Sequence, residues 1–449
     1  MTLGPGTSLA PDVEALAGEY PEYVAALAKN RRWNFAANIL DSSSFALTQA
    51  ALTETTILPF FVSQLTANTF VIGLSPAIAW LGLYLPQLFG AYLVHSFTRR
   101  KPYIIVMAWL ERVAITAMLL VALLIGRLPN SLVLGAFLAA YFAFWLVIGL
   151  IIPAYSNFYA KHIPTGRGTF LGVQALIYGA LGVVSAGLVQ KLLTGAAFPT
   201  NLIRVLAYAL LTALPALIAF HNLREVAFPV ESARQPLGAY LRQAGPLLRE
   251  HPAFVRFLSV RAVMVLAKMS IPFLAIYALQ RFSLGSGVVA TYTAFMLAAQ
   301  SVSAPVWGFL SDRWHPHYVW ALAAGVQLLH TALALWAPAA GWFPAIFALI
   351  GITLGAEATA QPHTTYLLSP AAETTRFIGL ANTGLAPLVA LGPLAGGALA
   401  GWFSYPTALA ASVALAVAGL LAVAVWIVVE RGPAADRSVG GYSRGDNVP

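Results

Sequence analysis

Residues 405–430 read YPTALAASVALAVAGLLAVAVWIVVE, and the single charge in the stretch is its last residue, Glu430. A helix at the surface of a soluble protein needs a polar stripe, and this segment has none. It is long enough to cross the roughly 30 Å hydrocarbon layer of a bilayer. The pattern recurs throughout the chain. With a window of about 19 residues, apolar runs fall near 34–64, 70–95, 103–126, 131–159, 168–192, 202–222, 254–281, 286–310, 317–337, 342–368, 377–401 and 405–430. The expected fold class is therefore an all-α membrane protein with about twelve transmembrane helices. Several runs are longer than the bilayer requires, so tilting or kinking is expected, with Pro59, Pro153, Pro272 and Pro362 as the kink candidates.

Composition agrees. Of 449 residues, 59% are hydrophobic and 9% charged, with a mean hydropathy of +0.77, whereas soluble proteins carry roughly 25% charged residues. The net charge of +9 would suit nucleic acid only if the basic residues gathered on one face. They are instead scattered between the apolar runs, so no nucleic-acid partner is expected. Cysteine is absent, which excludes disulfides and thiolate chemistry. The first thirty or so residues lack an apolar core, and no signal peptide is expected.

Lysine and arginine set the orientation, because basic loops stay on the cytoplasmic side. With the N-terminus inside, nineteen basic residues fall on inner segments and inner span ends, against four on the outer ones: Arg127, Lys191, Arg204 and Arg281. Arg256, Arg261, Arg313 and Arg376 belong to the inner group. The expected location is the cell (cytoplasmic or inner) membrane, multi-pass, with both termini cytoplasmic.

The longest polar interruption divides the spans six and six. The expected organisation is a cytoplasmic N-terminal segment at 1–33, a six-helix bundle at 34–222, a cytoplasmic linker at 223–253, a second six-helix bundle at 254–430 and a disordered cytoplasmic tail at 431–449. Within the linker Leu237, Tyr240, Leu241, Ala244, Leu247 and Leu248 recur at helical spacing opposite Arg242, Gln243 and Arg249. That pattern fits an amphipathic helix on the inner membrane surface, or equally a solvated linker helix.

Three local echoes link the halves. Leu58-Pro59-Phe60-Phe61 in the first span matches Ile271-Pro272-Phe273-Leu274 in the seventh. The loop after the fourth span, around Arg167-Gly168, has a counterpart after the tenth in Arg376-Phe377-Ile378-Gly379. Finally, Arg99-Arg100-Lys101 follows the second span, and Gly308-Phe309-Leu310-Ser311-Asp312-Arg313 follows the eighth. Their shared order is harder to obtain by chance than any one of them.

At these residues the sequence resembles the major facilitator superfamily, whose signature after the second and eighth spans is a Gly-x-x-x-Asp-Arg loop. Gly308, Asp312 and Arg313 match it; the first copy places His95 and Ser96 where Asp and Arg stand in the family. The resemblance implies two pseudo-symmetric six-helix bundles rocking about a central site. It also implies a conformational latch at Gly308, Asp312 and Arg313 with Arg167 and Arg376, where a carboxylate near a helix end binds in one state and releases in the other. The alternative reading of Asp312 and Arg313 is a topology-setting turn. Gly392-Pro393-Leu394-Ala395-Gly396-Gly397 resembles a signature of antiporters, but in the eleventh span rather than their fifth, and close helix packing explains it equally well.

Ionisable residues at depth cost about 2.5 kcal/mol or more and mark functional sites by default. Asp41, Glu54, Glu111, Arg112, Lys268 and Glu357 are such residues. In the resembled family spans one, four, seven and ten line the cavity, which makes Glu54, Lys268 and Glu357 candidates for substrate binding or proton coupling. The Pro-Phe echo sets Glu54 and Lys268 at nearly equivalent positions, so a charge pair between the halves is one expectation; the others are that each faces water in a wide cavity or pairs structurally elsewhere, as Glu357 would with Lys268. Tyr141 and Trp145, at i and i+4 of the fourth span, suit either an aromatic cavity wall or plain packing. Glu111 and Arg112 read as a structural pair, and Asp41 as a cap, a conformational contact or a binding group.

No constellation for catalysis is present: there is no His-Glu-x-x-His, no Gly-x-Ser-x-Gly and no phosphate loop, and His315 and His317 read as solvated turn residues. The chain is expected not to be an enzyme and to need no cofactor or metal. Its expected function is secondary active transport of a small organic solute by alternating access, with protons as the candidate coupling ion and export as a candidate direction. A receptor, or a facilitator without ion coupling, is the alternative reading. The expected partners are the solute, the lipid bilayer and protons, and the expected state is a monomer.

Overall fold

The computed structural model describes residues 18–95, 97–162, 167–227, 236–242, 244–313, 316–370 and 373–431. Most of the expected N-terminal segment, the C-terminal tail beyond Arg431, His315 and the side chains of Arg167 and Asp312 lie outside the described residues.

The described chain is helical. Its helices are α1 (Pro21–Ala51), α2 (Ile57–Leu65), α3 (Thr69–Tyr84), α4 (Gln87–His95), α5 (Lys101–Ala122), α6 (Asn130–His162), α7 (Arg167–Thr194) and α8 (Thr200–Asn222), then the short α9 (Leu237–Arg242) and α10 (Ala244–Glu250). These are followed by α11 (Pro252–Leu266), α12 (Ile271–Phe282), α13 (Gly287–Arg313), α14 (Pro316–Trp336), α15 (Phe343–Leu368), α16 (Thr374–Trp402) and α17 (Tyr405–Arg431). Local sequence explains the ends. Asn68 caps α3 by accepting from the backbone N–H groups of Phe70 and Val71 at 3.0 and 3.4 Å, the usual work of an N-cap side chain. Beyond α5, Gly126 takes a φ of +80°, a conformation open to glycine at no steric cost.

Among the described residues, 11 helical segments are long and apolar enough to cross a membrane. They agree with the expected spans two to twelve. The first expected span, 34–64, is built differently: α1 starts well before it, at Pro21, and the chain breaks between Ala51 and Ile57. Asn34, Asn38, Asp41, Ser42, Ser44 and Thr48 are all buried along α1, so its polar residues face protein rather than lipid. Of the four expected kink prolines, Pro59 and Pro272 lie in the first turns of α2 and α12, whereas Pro153 and Pro362 sit inside helices that run through them. The expected linker helix is split into α9 and α10.

Helices α1 to α8 pack among themselves, α1 on α7 and α8, α3 on α6, and α5 on α6 and α8. Helices α11 to α17 do likewise, α13 and α14 on α15, and α11 and α14 on α17. The two groups meet chiefly along α3 with α16 and α7 with α13. Lipid tails are as apolar as leucine, so close contact between helices, rather than escape from water, must hold such seams. Glycines provide it: a Cβ at Gly179 would collide with Ser301, and one at Gly397 with the Thr69 carbonyl.

On the side away from the basic ends, one apolar core runs across both groups. It includes Leu58 and Phe61 of α2, Leu274 and Tyr277 of α12, and Phe343 and Phe347 of α15. Nearer the basic ends, α1 and α11 pack within their own groups, on α7 and α8 and on α16 and α17 respectively.

Candidate functional site

Two interrupted helices create the site. Pro59 and Pro272 have no N–H to bond the carbonyl four residues earlier, and each stands in the first turn of a helix, where that donor is not needed. The chain breaks before each. Glu54 stands in the break between α1 and α2, and Lys268 in the break between α11 and α12. Each charge suits its helix end, the carboxylate preceding the N-terminus of α2 and the ammonium following the C-terminus of α11.

The structure corrects one expectation here. Lys268 pairs with Glu357 of α15, within its own half of the chain, and not with Glu54. Glu54 instead accepts a hydrogen bond from Gln49 Nε2 at 3.1 Å. The break it occupies is tied to the other half by its neighbours: Thr56 donates to Thr293 at 2.7 Å, the Thr293 proton being committed to the Val289 carbonyl at 2.9 Å. Glu357 uses one carboxylate oxygen for Lys268, and its Oε1 is buried without a hydrogen-bond partner.

A relay that sequence reasoning missed runs beside this pair. Arg261 of α11 donates to Gln361 Oε1 of α15 at 2.7 Å, and Gln361 donates to Asn382 Oδ1 of α16 at 2.8 Å. Asn382 then donates to Gln87 Oε1 of α4, in the other half, also at 2.7 Å. Thr383 continues the seam, accepting from the Leu88 N–H at 3.3 Å. Tyr84 and Tyr178, also absent from the expected site, lie close enough to interact electrostatically with Glu54, and Tyr84 with Arg261 and Glu357 too. The signal for Arg261 was present but assigned to topology. It was counted among the basic residues of the inner ends, yet it lies nine residues into α11, about 13 Å along the axis.

The remaining candidates fall elsewhere. Tyr141 and Trp145 are 0% and 4% exposed, packed edge to face with ring centroids 6.3 Å apart, and Trp145 lies against Gly82 of α3. They belong to the apolar core. Asp41 is buried and accepts from the Tyr155 hydroxyl. Glu111 and Arg112 form a buried pair at 2.7 Å, and Arg112 also donates to the Ala213 carbonyl of α8 at 2.6 Å. Of the latch group, Arg313 is exposed, with its guanidinium 5.8 Å from the Phe309 ring centroid, and nothing crowds Gly308. Arg376 donates to the Tyr240 carbonyl at 2.7 Å and stacks 4.7 Å over its ring. Tyr240 in turn packs on Tyr92 at the end of α4. Burial raises the Tyr240 phenol above its ordinary value, against the opposing pull of Arg376. His317 is not a solvated turn residue: its ring lies 3.9 Å from that of Trp426.

The match to known proteins follows this geometry. Residues 257–441 match the family model of the Major Facilitator Superfamily, the part of the chain that holds Lys268, Glu357 and the Gly308-x-x-x-Asp312-Arg313 sequence, which forms the end of α13 rather than the expected loop. That match covers the second half of the chain, and the first half carries no such match. Solved structures of transporters share the fold of the chain over nearly their whole lengths. A POT family transporter in complex with a thioalcohol-conjugated peptide superposes with a TM-score of 0.68 at 12% identity, covering 90% of this chain and 96% of that one. The nucleoside transporter NupG gives 0.66 at 12%, covering 88% and 99%. A D-xylose–proton symporter gives 0.66 at 13%, covering 88% and 97%. Among curated protein sequences none matches the chain.

Proposed function

We propose that the protein is a secondary active transporter that carries a small organic solute by alternating access between two six-helix bundles, α1 to α8 and α11 to α17. It acts as a carrier and not as an enzyme, in a cell membrane with both termini in the cytoplasm. The observation that carries this reading is the Lys268–Glu357 pair, which stands beside a broken helix where the two halves of the chain face each other. Charges at such depth are retained where they bind or move something. In this reading the apolar core on the side away from the basic ends, which joins the two groups there, keeps that side closed in this conformation.

Protons drive the cycle in this reading. A proton on Glu357 frees Lys268, and a solute bound between the charges replaces the lost partner. The Arg376–Tyr240–Tyr92 contact ties α9 to both halves on the basic side and acts as the strap that repositions between states.

The test is transport by purified protein in liposomes. Wild type should accumulate its solute against a gradient when a pH difference is imposed. Glu357→Gln should lose this uphill accumulation and keep solute counterflow, because counterflow needs alternation without net proton movement. Full pH-driven accumulation by the variant would remove Glu357 from the coupling, and saturable binding with no flux in wild type would make the protein a receptor.

A further inference from the structure

Arg261 is a buried cation with no carboxylate in contact with it, Glu357 acting on it only from beyond ion-pair distance. It is 5% exposed, and among the described residues no carboxylate lies within ion-pair distance of it. One of its terminal nitrogens is held by Gln361, a neutral amide; the other, Nη1, is buried with no hydrogen-bond partner. A guanidinium carries five donors and does not deprotonate in proteins, so an unpaired one at this depth is costly unless an anion joins it. Lys268 cannot provide that anion, and Glu357 is committed to Lys268 through its Oε2.

A second unfilled group lies close by. Glu357 Oε1 is a buried acceptor with no partner, and Glu357 and Gln361 stand one turn apart on α15, which puts their side chains on one face about 6 Å apart along the axis. The groups left unfilled are therefore a cationic donor next to Gln361 and an anionic acceptor one turn away. Arg261 also interacts electrostatically with Tyr84 of α3, which sets it at the meeting of the two halves.

We propose that Arg261 docks an anionic group of the transported solute, a carboxylate or its equivalent, and that Glu357 Oε1 receives an ammonium or hydroxyl of the same molecule about one helical turn away. This rests on the transport reading for its substrate and names the class: a small organic anion, best matched by a zwitterion whose charges are separated by several bonds. A planar guanidinium receives a carboxylate through two parallel hydrogen bonds. Gln361, held through Asn382 by Gln87, fixes the orientation of the fork and links it to the other half, so an anion seated on Arg261 bears on the contact that must change when the halves rock.

The probes are glycine, 4-aminobutanoate, 6-aminohexanoate, butanoate and butylamine at tens of millimolar and equal ionic strength, read by thermal unfolding of the purified full chain in detergent. Butanoate and 4-aminobutanoate should raise the apparent Tm of wild type by about 2 °C or more, with 4-aminobutanoate exceeding glycine and butylamine giving no shift. Arg261→Gln should abolish the butanoate shift, and Arg261→Lys should restore part of it. If neither substitution folds, the wild-type series still decides, since the anion must outdo the amine built on the same carbon skeleton. The proposal is overturned if butylamine stabilises as well as butanoate, if no carboxylate stabilises, or if Arg261→Gln keeps the full shift. Counterflow of 4-aminobutanoate in proteoliposomes separates the two readings. An Arg261-dependent shift with no flux sinks transport and leaves the anion site, and flux that survives Arg261→Gln does the reverse.

Discussion

Glu54 and Lys268 occupy the same place in two different interrupted helices: each stands in the break, three residues before the following helix begins at Ile57 or Ile271. They do not touch, because Lys268 is held by Glu357 and Glu54 by Gln49. The equivalence lies in the backbone, where each break is followed by a helix with a proline in its first turn, and not in a bond between the side chains.

The Lys268–Glu357 pair should behave as a coupled unit. Both side chains are 18% exposed, so removing one partner leaves a poorly hydrated charge. Lys268→Met should lower stability by about 2–4 kcal/mol, and adding Glu357→Gln should recover at least half of that loss. Thermal or denaturant unfolding of the four members of this double-mutant cycle provides the measurement; strictly additive losses would mean that the two groups are independent.

Close contact between α13 and α15 depends on Gly351, where an added Cβ would strike the Met296 carbonyl. Gly351→Val should therefore cost about 1–3 kcal/mol or more by overpacking. Gly325→Val, at a helix position with nothing within 4 Å, is the control and should change little. Equal thermal stabilities of the two variants in detergent would refute the packing account.

Glu225 accepts the backbone N–H groups of Arg100 and Lys101 at 2.6 and 3.0 Å, at the N-terminus of α5. It fulfils the role of a capping carboxylate from a distant part of the chain. Glu225→Ala should cost about 1 kcal/mol and speed amide exchange in the first turn of α5. Hydrogen exchange followed by mass spectrometry would show it, and unchanged protection there would rule the cap out.

Topology can be tested without background because the chain has no cysteine. Cysteines at Leu128, which is exposed, and Gly285, which has open space around it, should react with an impermeant thiol reagent added outside intact cells. Cysteines at the exposed Arg99 and Arg242 should react only after permeabilisation. The reverse pattern would invert the assigned orientation.

The apolar runs and the distribution of lysine and arginine were sufficient for spans two to twelve and for the all-α membrane class, because a backbone in lipid must satisfy its own hydrogen bonds and has almost no alternative to a helix. The Pro-Phe echo marked two equivalent places, but as kinks rather than as breaks. The first span was harder to delimit, since α1 is too polar to register as a run of lipid-facing residues and is covered by protein instead.

Which charges meet was a matter for tertiary structure alone. Sequence placed Glu54, Lys268 and Glu357 at depth but could not choose between a Glu54–Lys268 and a Lys268–Glu357 pair, because that choice depends on how α11 and α15 face each other. The Arg261–Gln361–Asn382–Gln87 relay joins residues on four helices, up to 295 positions apart, and no local pattern encodes such a contact. The sequence thus determined by itself where the chain enters and leaves the bilayer, a property summed over each segment's transfer from water to lipid. Helix packing decided which buried polar groups found partners and which, like Arg261 Nη1, did not.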